Sequence, residues 1–277
     1  MLIKSIQMQY KIITEKKNYY LMMLAVFGFV LLNYFSNVFK YAGMDILDMY
    51  QPMRLLLLSN SGIYYRFFAL LYPIIVLVPA AFSFMFDQDV NEQVFIQTRM
   101  DVRNYYLGKT VATFIVTFNV FTIPLLVEIF LNSIAFPFNS TGLLSNQSIY
   151  DEVSLNLLQK LLLPSIYAYS PIVYSIIFIV IFGIFSGIIA CFALSLSMLL
   201  NFKFKAFLFL PTYAFSYILN AIQYVIPNFE FTTNYYNYFD MFDGLKKSFF
   251  SYIALALCIA IITLILVVHK SRKDSLG

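Results

Sequence analysis

The sequence predicts an all-α integral membrane protein, a single transmembrane domain over residues 1–277 with six membrane-crossing helices. Three observations carry that expectation. Hydrophobic residues fill 61% of the 277 positions and charged residues only 12%, about half the charged share of a soluble domain. Six continuous apolar runs reach the roughly 20 residues that a membrane helix needs. Basic residues gather in alternate connections, the pattern of a chain that crosses a bilayer repeatedly.

The runs lie at about 19–39, 67–86, 111–131, 172–200, 206–226 and 249–268. Each is apolar throughout and does not alternate, which excludes β-barrel strands. Helices are the other way to satisfy every backbone group in lipid. The fourth run is long enough to tilt, or to begin at the interface. Pro73, Pro79, Pro124 and Pro211 fall inside runs and are candidate kink sites.

An even number of spans puts both termini on one side. Lys4, Lys11, Lys16, Lys17, Arg99, Arg103, Lys109, Lys203, Lys205, Lys270, Arg272 and Lys273 would share that side. Lys40, Arg54, Arg66, Lys160, Lys246 and Lys247 would lie opposite. The bias predicts cytoplasmic termini. Residues 1–18 do not resemble a cleaved signal, because the charged stretch is long and no small-residue cleavage site follows. Leu2, Ile6, Tyr10 and Ile13 recur at helical spacing. They predict an amphipathic helix at the membrane surface, with a frayed basic tail as the alternative.

The sequence excludes several chemistries. His269 is the one histidine, and it follows the last run. No HExxH, CxxC or paired intramembrane aspartates occur, so a catalytic or metal-binding constellation is not expected. Cys191 and Cys258 sit within apolar runs and read as small packing residues. Ion-driven transporters keep ionisable groups near the midplane, whereas these runs hold few. Glu128 is the exception, and it falls about 26 Å along the third run at 1.5 Å per residue. That places it near the outer face. Arg66, at the outer end of the second run, is a candidate outer-leaflet partner for Glu128; otherwise each snorkels separately to the headgroups. Gly183 and Gly187 form a GxxxG for close helix packing, within the chain or between subunits.

The most informative segment is 86–110, FDQDVNEQVFIQTRMDVRNYYLGKT. Its Gly108-Lys109-Thr110 ends like a phosphate-binding loop. The first glycine of G-x-x-x-x-G-K-[ST] is replaced by Arg103, and the motif belongs between a buried strand and a helix, whereas a long apolar run follows Thr110. ATP binding by this chain is therefore not expected. Residues 88–98 form a candidate short helix, and Asp101 a candidate N-cap for a helix entering the third span. Tyr105 and Tyr106 then read as interfacial aromatics, Gly108 as a packing residue and Lys109 as a membrane-edge anchor.

Glu92, Val94, Arg103, Tyr106, Gly108 and Lys109 match the stretch that follows the second span in type-2 ABC exporter permeases. The order of parts is similar too: an amphipathic N-terminal helix, six spans, an aromatic loop before the sixth, and the basic tail HKSRKD. The chain thus resembles the bacterial membrane subunit of a type-2 ABC exporter over nearly its whole length.

The resemblance implies a coupling helix near 87–101 that docks on a separate ATPase subunit, with Asp89, Glu92, Val94, Phe95, Arg99 and Arg103 as its contacts. It implies an outer gate in the 227–248 loop, at Phe229, Phe231, Tyr235, Tyr236 and Phe239; a surface loop with headgroup-level aromatics is the alternative. It also implies a second permease chain, the same or different, and a bacterial plasma-membrane location. The permease would itself be no enzyme and carry no cofactor, with ATP and Mg bound by the partner. An amphipathic or hydrophobic substrate fits the apolar composition: a peptide such as an antimicrobial peptide first, then a lipid or drug. Membrane lipids are expected partners, and nucleic acid is not. The competing expectations are a non-transporting scaffold or sensor subunit, and a secondary transporter.

Overall fold

A computed structural model describes residues 2–46, 49–59, 62–79, 81–89, 101–138, 161–200, 205–211, 213–214, 218, 239–241 and 248–275. Among these residues the chain is all-helical, with no strand. In chain order the helices are α1 (Leu2–Thr14), α2 (Lys17–Tyr41), α3 (Ile63–Leu77), α4 (Ser83–Asp89), α5 (Val102–Ala135), α6 (Pro164–Tyr169), α7 (Pro171–Leu199) and α8 (Phe249–Ser275). Short 3₁₀ turns occupy Pro52–Arg54 and Lys205–Leu208.

Four helices, α2, α5, α7 and α8, are each long and apolar enough to cross a membrane. They coincide with the first, third, fourth and sixth apolar runs. The second run is not one straight span: α3 stops at Leu77 and α4 restarts at Ser83. Pro79 lies between them and has no N–H to extend the ladder. Pro73 and Pro124, by contrast, sit inside unbroken helices. The fifth run is helical over 205–211, and Tyr213 donates from its hydroxyl to the Leu70 carbonyl on α3 at 3.1 Å; most of the rest of that run lies outside the described residues.

The core is the pair α5 and α7, which pack on each other more extensively than any other two elements. Small residues permit that approach. A Cβ on Gly183 would meet Thr122 Oγ1 at 2.2 Å, and one on Gly187 would meet the Phe114 ring at 2.7 Å. The GxxxG is therefore an intrachain seam against α5. A cluster of Phe68, Tyr72, Phe121, Phe182 and Phe239 fills the centre, with ring centroids 4.4 Å apart for Tyr72–Phe239. The outer faces carry apolar side chains with no protein cover, such as Leu24 at 69% and Phe250 at 81% exposure. Such faces match a hydrocarbon solvent rather than water.

Two local expectations need correction. The helix α1 forms, but its buried face is Ser5, Gln9 and Ile13, and Leu2 is exposed. The face is rotated because α1 packs along the start of α5, where Ser5 donates to the Asn104 carbonyl at 2.8 Å. Asp101 stands at the N-cap of α5, but its side chain makes no cap hydrogen bond. It accepts from Asn104 Nδ2 at 3.3 Å instead.

Candidate functional site

Polar side chains collect in two buried nodes at opposite ends of the bundle. The first lies where both terminal segments meet the start of α5. Asp87, on the last turn of α4, and Lys109, on the second turn of α5, form an ion pair with neither side chain exposed. Tyr105 completes the pocket, donating from its hydroxyl to Asp87 Oδ2 at 2.8 Å. Lys109 also donates to Gln9 Oε1 of α1 at 3.2 Å. Lys16, on the α1–α2 link, stands 3.7 Å from Asp87 Oδ1. That is an ionic contact beyond hydrogen-bond reach.

Next to it, Tyr106 donates from its hydroxyl to Asp274 near the end of α8, and Lys270 pairs with Asp274 at 3.0 Å. Thus α1, α4, α5 and α8 are fastened together within one turn of α5. Gly108 makes this closeness possible: a Cβ there would lie 2.2 Å from Ser5 Oγ and 3.2 Å from the Ser5 backbone carbon. Gly108 is a packing residue as the sequence suggests, whereas Lys109, Tyr105 and Tyr106 face the protein interior rather than lipid headgroups or water. All three are fully buried. Lys109 has an opposite charge within reach, so burial as a pair replaces snorkelling to water.

The second node surrounds Glu128 of α5, which has no exposure. Its Oε1 accepts from Asn33 Nδ2 at 2.8 Å and from the Leu57 backbone N–H at 2.7 Å. Asn33 and Asn37, one turn apart on α2, also donate to the Leu55 carbonyl, at 2.8 and 2.9 Å. The segment Met53–Ser59 is consequently not an exposed loop. Met53 and Leu55 to Leu58 are each at most 3% exposed. Buried irregular backbone needs partners for its polar groups, and here Asn33 and Asn37 serve the Leu55 carbonyl and Glu128 the Leu57 N–H. The other edge of the segment is tied down as well: Met241 donates from its backbone to the Leu58 carbonyl at 2.7 Å.

Arg66 and Glu128 are not paired. Arg66 is exposed on the first turn of α3, and Glu128 is taken by Asn33 and Leu57. Of the coupling residues, Asp89 is exposed at the end of α4 and Arg103 is exposed on the first turn of α5; Glu92, Val94, Phe95 and Arg99 lie outside the described residues. Of the gate residues, Phe239 is fully buried against Tyr72, Phe182 and Phe185; Phe229, Phe231, Tyr235 and Tyr236 lie outside the described residues. Among the described residues, no three His, Cys, Asp or Glu side chains gather as a metal site.

Sequence reasoning passed over Asp87, Gln9 and the 53–59 segment. The unbroken Leu55–Leu58 run beside Pro52 was a usable signal, since four consecutive leucines are out of place in an aqueous connection. Comparison with family models, with curated proteins and with solved structures finds no match for this chain.

Proposed function

We propose that this chain is the permease subunit of an ABC-type exporter. It would form a membrane path for an amphipathic or hydrophobic substrate, an antimicrobial-type peptide foremost, and be driven by a separate ATPase that binds ATP and Mg. The observation that carries the reading is the fastening of α4 at the Asp87 node. Residues 90–100, the segment with the coupling-type motif, connect the end of α4 to the start of α5 in the sequence. Both attachment points are joined by the Asp87–Lys109 pair and the Tyr105–Asp87 bond. A push on that segment by a partner would therefore reach α1, α5 and α8 without first being absorbed by loose side chains.

This reading places both termini and the 90–100 segment in the cytoplasm of a bacterial cell, with a second permease chain completing the path. Affinity purification from native membranes tests it. The expected result is an ATP-hydrolysing subunit recovered with the chain, and its loss or uncoupling when Glu92, Val94 and Phe95 are replaced together by alanine. Recovery of the chain with no ATPase, or export unchanged in the triple variant, would overturn it. The second result would favour the secondary-transporter alternative if an ion gradient sustained transport. Recovery of a cytoplasmic partner without transport would favour the scaffold alternative.

A further inference from the structure

Glu128 uses one of its two carboxyl oxygens. Its Oε1 takes both hydrogen bonds, from Asn33 and from the Leu57 N–H. Its Oε2 is buried and has no hydrogen-bond partner among the described residues. One turn further along α5, Asn132 has no exposure either. Its Oδ1 and Nδ2 are likewise without a partner among the described residues. Side chains at i and i+4 of a helix stand about 5–6 Å apart at Cβ, so these two groups are neighbours. The packing of α2 on α5 encloses them. Asn33 bonds Glu128, and roughly two turns further on each helix the rings of Tyr41 and Phe136 stand 6.0 Å apart. Asn37 and Asn132 fall between those two contacts, and Asn37 donates to the Leu55 carbonyl.

No cation compensates Glu128. Among the described residues it forms no ion pair. Three basic residues lie on the surrounding elements, and none of them pairs with it. Lys40, at the end of α2, stands over the Tyr41 ring at 5.4 Å. Arg54 belongs to the 3₁₀ turn, and Arg66 is exposed at the start of α3. Tyr41, Tyr50 and Tyr174 are phenols that bring no positive charge. Asp240, beside the Met241 that bonds Leu58, is buried and adds a second acidic group at this end of the bundle.

A fully buried carboxylate without a counter-charge is far costlier than the neutral acid, and an ionisable residue within a membrane helix is a functional candidate for that reason. We propose that Glu128 is a proton-binding site, with the proton on Oε2 and donated to Asn132 Oδ1. One proton answers both shortfalls. It removes the buried charge, and it makes Oε2 the donor that Asn132 Oδ1 lacks; a torsional adjustment of the Asn132 side chain closes the bond. A metal ion would want six or so oxygen ligands, and Oε2 and Oδ1 are two. The neutral acid keeps Oε1 as acceptor for Asn33 and Leu57, so the proton and the seating of Met53–Ser59 are linked. Losing it would put an uncompensated charge beneath that segment. The site stands apart from the proposed ATPase partner, and its test reads no transport.

The test compares infrared spectra of the purified full chain and of Glu128→Gln near neutral pH. The expected difference is the loss of one carboxylic-acid C=O stretch, of the kind that moves in heavy water. Loss of carboxylate bands instead would show an ionised Glu128 and overturn the site. Asn132→Leu should keep the acid band but shift it, because the O–H loses its acceptor. Asn132→Ala should give the same shift should the leucine variant not survive purification. An unshifted band in the variants recovered would overturn Asn132 as the acceptor. Leu57→Cys, combined with Cys258→Ser, reads the link to the segment. Raising the pH until the acid band is lost should speed its reaction with a small maleimide beyond the rise seen when Glu128→Gln is also present, since nothing titrates at position 128 there. Equal rises in the two backgrounds would overturn the link.

Discussion

Asp87 and Lys109, 22 positions apart in the sequence, close an ion pair that neither shares with water. The pair ties the last turn of α4 to the second turn of α5 across the segment that bears the coupling-type motif. Its energetics are asymmetric. An intact buried pair adds little net stability over apolar substitutes, but removing one partner strands a charge in a low dielectric.

Lys109→Met should therefore lower stability by about 3 kcal/mol, the low end for a broken buried pair, because Asp87 is left with the Tyr105 hydroxyl and the ionic contact to Lys16 at 3.7 Å. Asp87→Asn combined with Lys109→Met should recover most of that loss. Thermal unfolding of the detergent-solubilised chain checks this by loss of the gel-filtration peak, since the absence of tryptophan makes intrinsic fluorescence a poor probe. A double variant as unstable as the single one would mean that Lys109 acts through packing and not through charge.

Four of the six expected spans were legible because a bilayer imposes one rule on every residue: about 20 apolar positions in a row. α2, α5, α7 and α8 obey it, and their places follow. The two polar nodes were not legible, because a lone Lys109 or Glu128 in an apolar run looks the same whether it snorkels or finds a partner. What decides is the partner's position in space, and Asp87, Gln9, Asn33 and the Leu57 N–H come from four separate elements. The Arg66–Glu128 pairing failed for that reason. It counted charges, whereas Glu128 Oε1 is taken by an amide and a backbone N–H.

That satisfaction makes a second prediction. Glu128→Gln keeps an oxygen that accepts from Asn33 and Leu57, so it should cost less than about 1 kcal/mol. Glu128→Leu leaves the Leu57 N–H and one of the two Asn33 amide hydrogens buried without an acceptor, and should cost about 2–4 kcal/mol. It should also release the Met53–Ser59 segment. A cysteine at Leu57, introduced together with Cys258→Ser, should then react faster with a small maleimide in the Leu variant than in the Gln variant. Equal rates would show that Asn33 and Asn37 hold the segment without Glu128.

Gly108 supplies a third prediction. An alanine Cβ would lie 2.2 Å from Ser5 Oγ and 2.9 Å from Ser5 Cβ, well inside van der Waals contact. Gly108→Ala should push α1 off the start of α5 at a cost of about 1–3 kcal/mol. Limited proteolysis should cut residues 1–16 sooner. Adding Ser5→Gly should restore part of the protection, less the roughly 1 kcal/mol that glycine costs a helix interior. No rescue would place the clash elsewhere on α1.

The seam between α5 and α7 separates stability from assembly. Gly183→Leu and Gly187→Leu would drive side chains into Thr122, Phe118 and Phe114 of the same chain. Each should lower the unfolding temperature, by an overpacking cost of about 1–3 kcal/mol or more. Oligomeric state, read by crosslinking in native membranes, should not change in either variant. A subunit contact at this GxxxG would give the opposite pattern, a lost dimer with a stable monomer. The geometry favours the first outcome because both glycines already touch α5, and the space a partner helix would need is filled by Phe114 and Phe118.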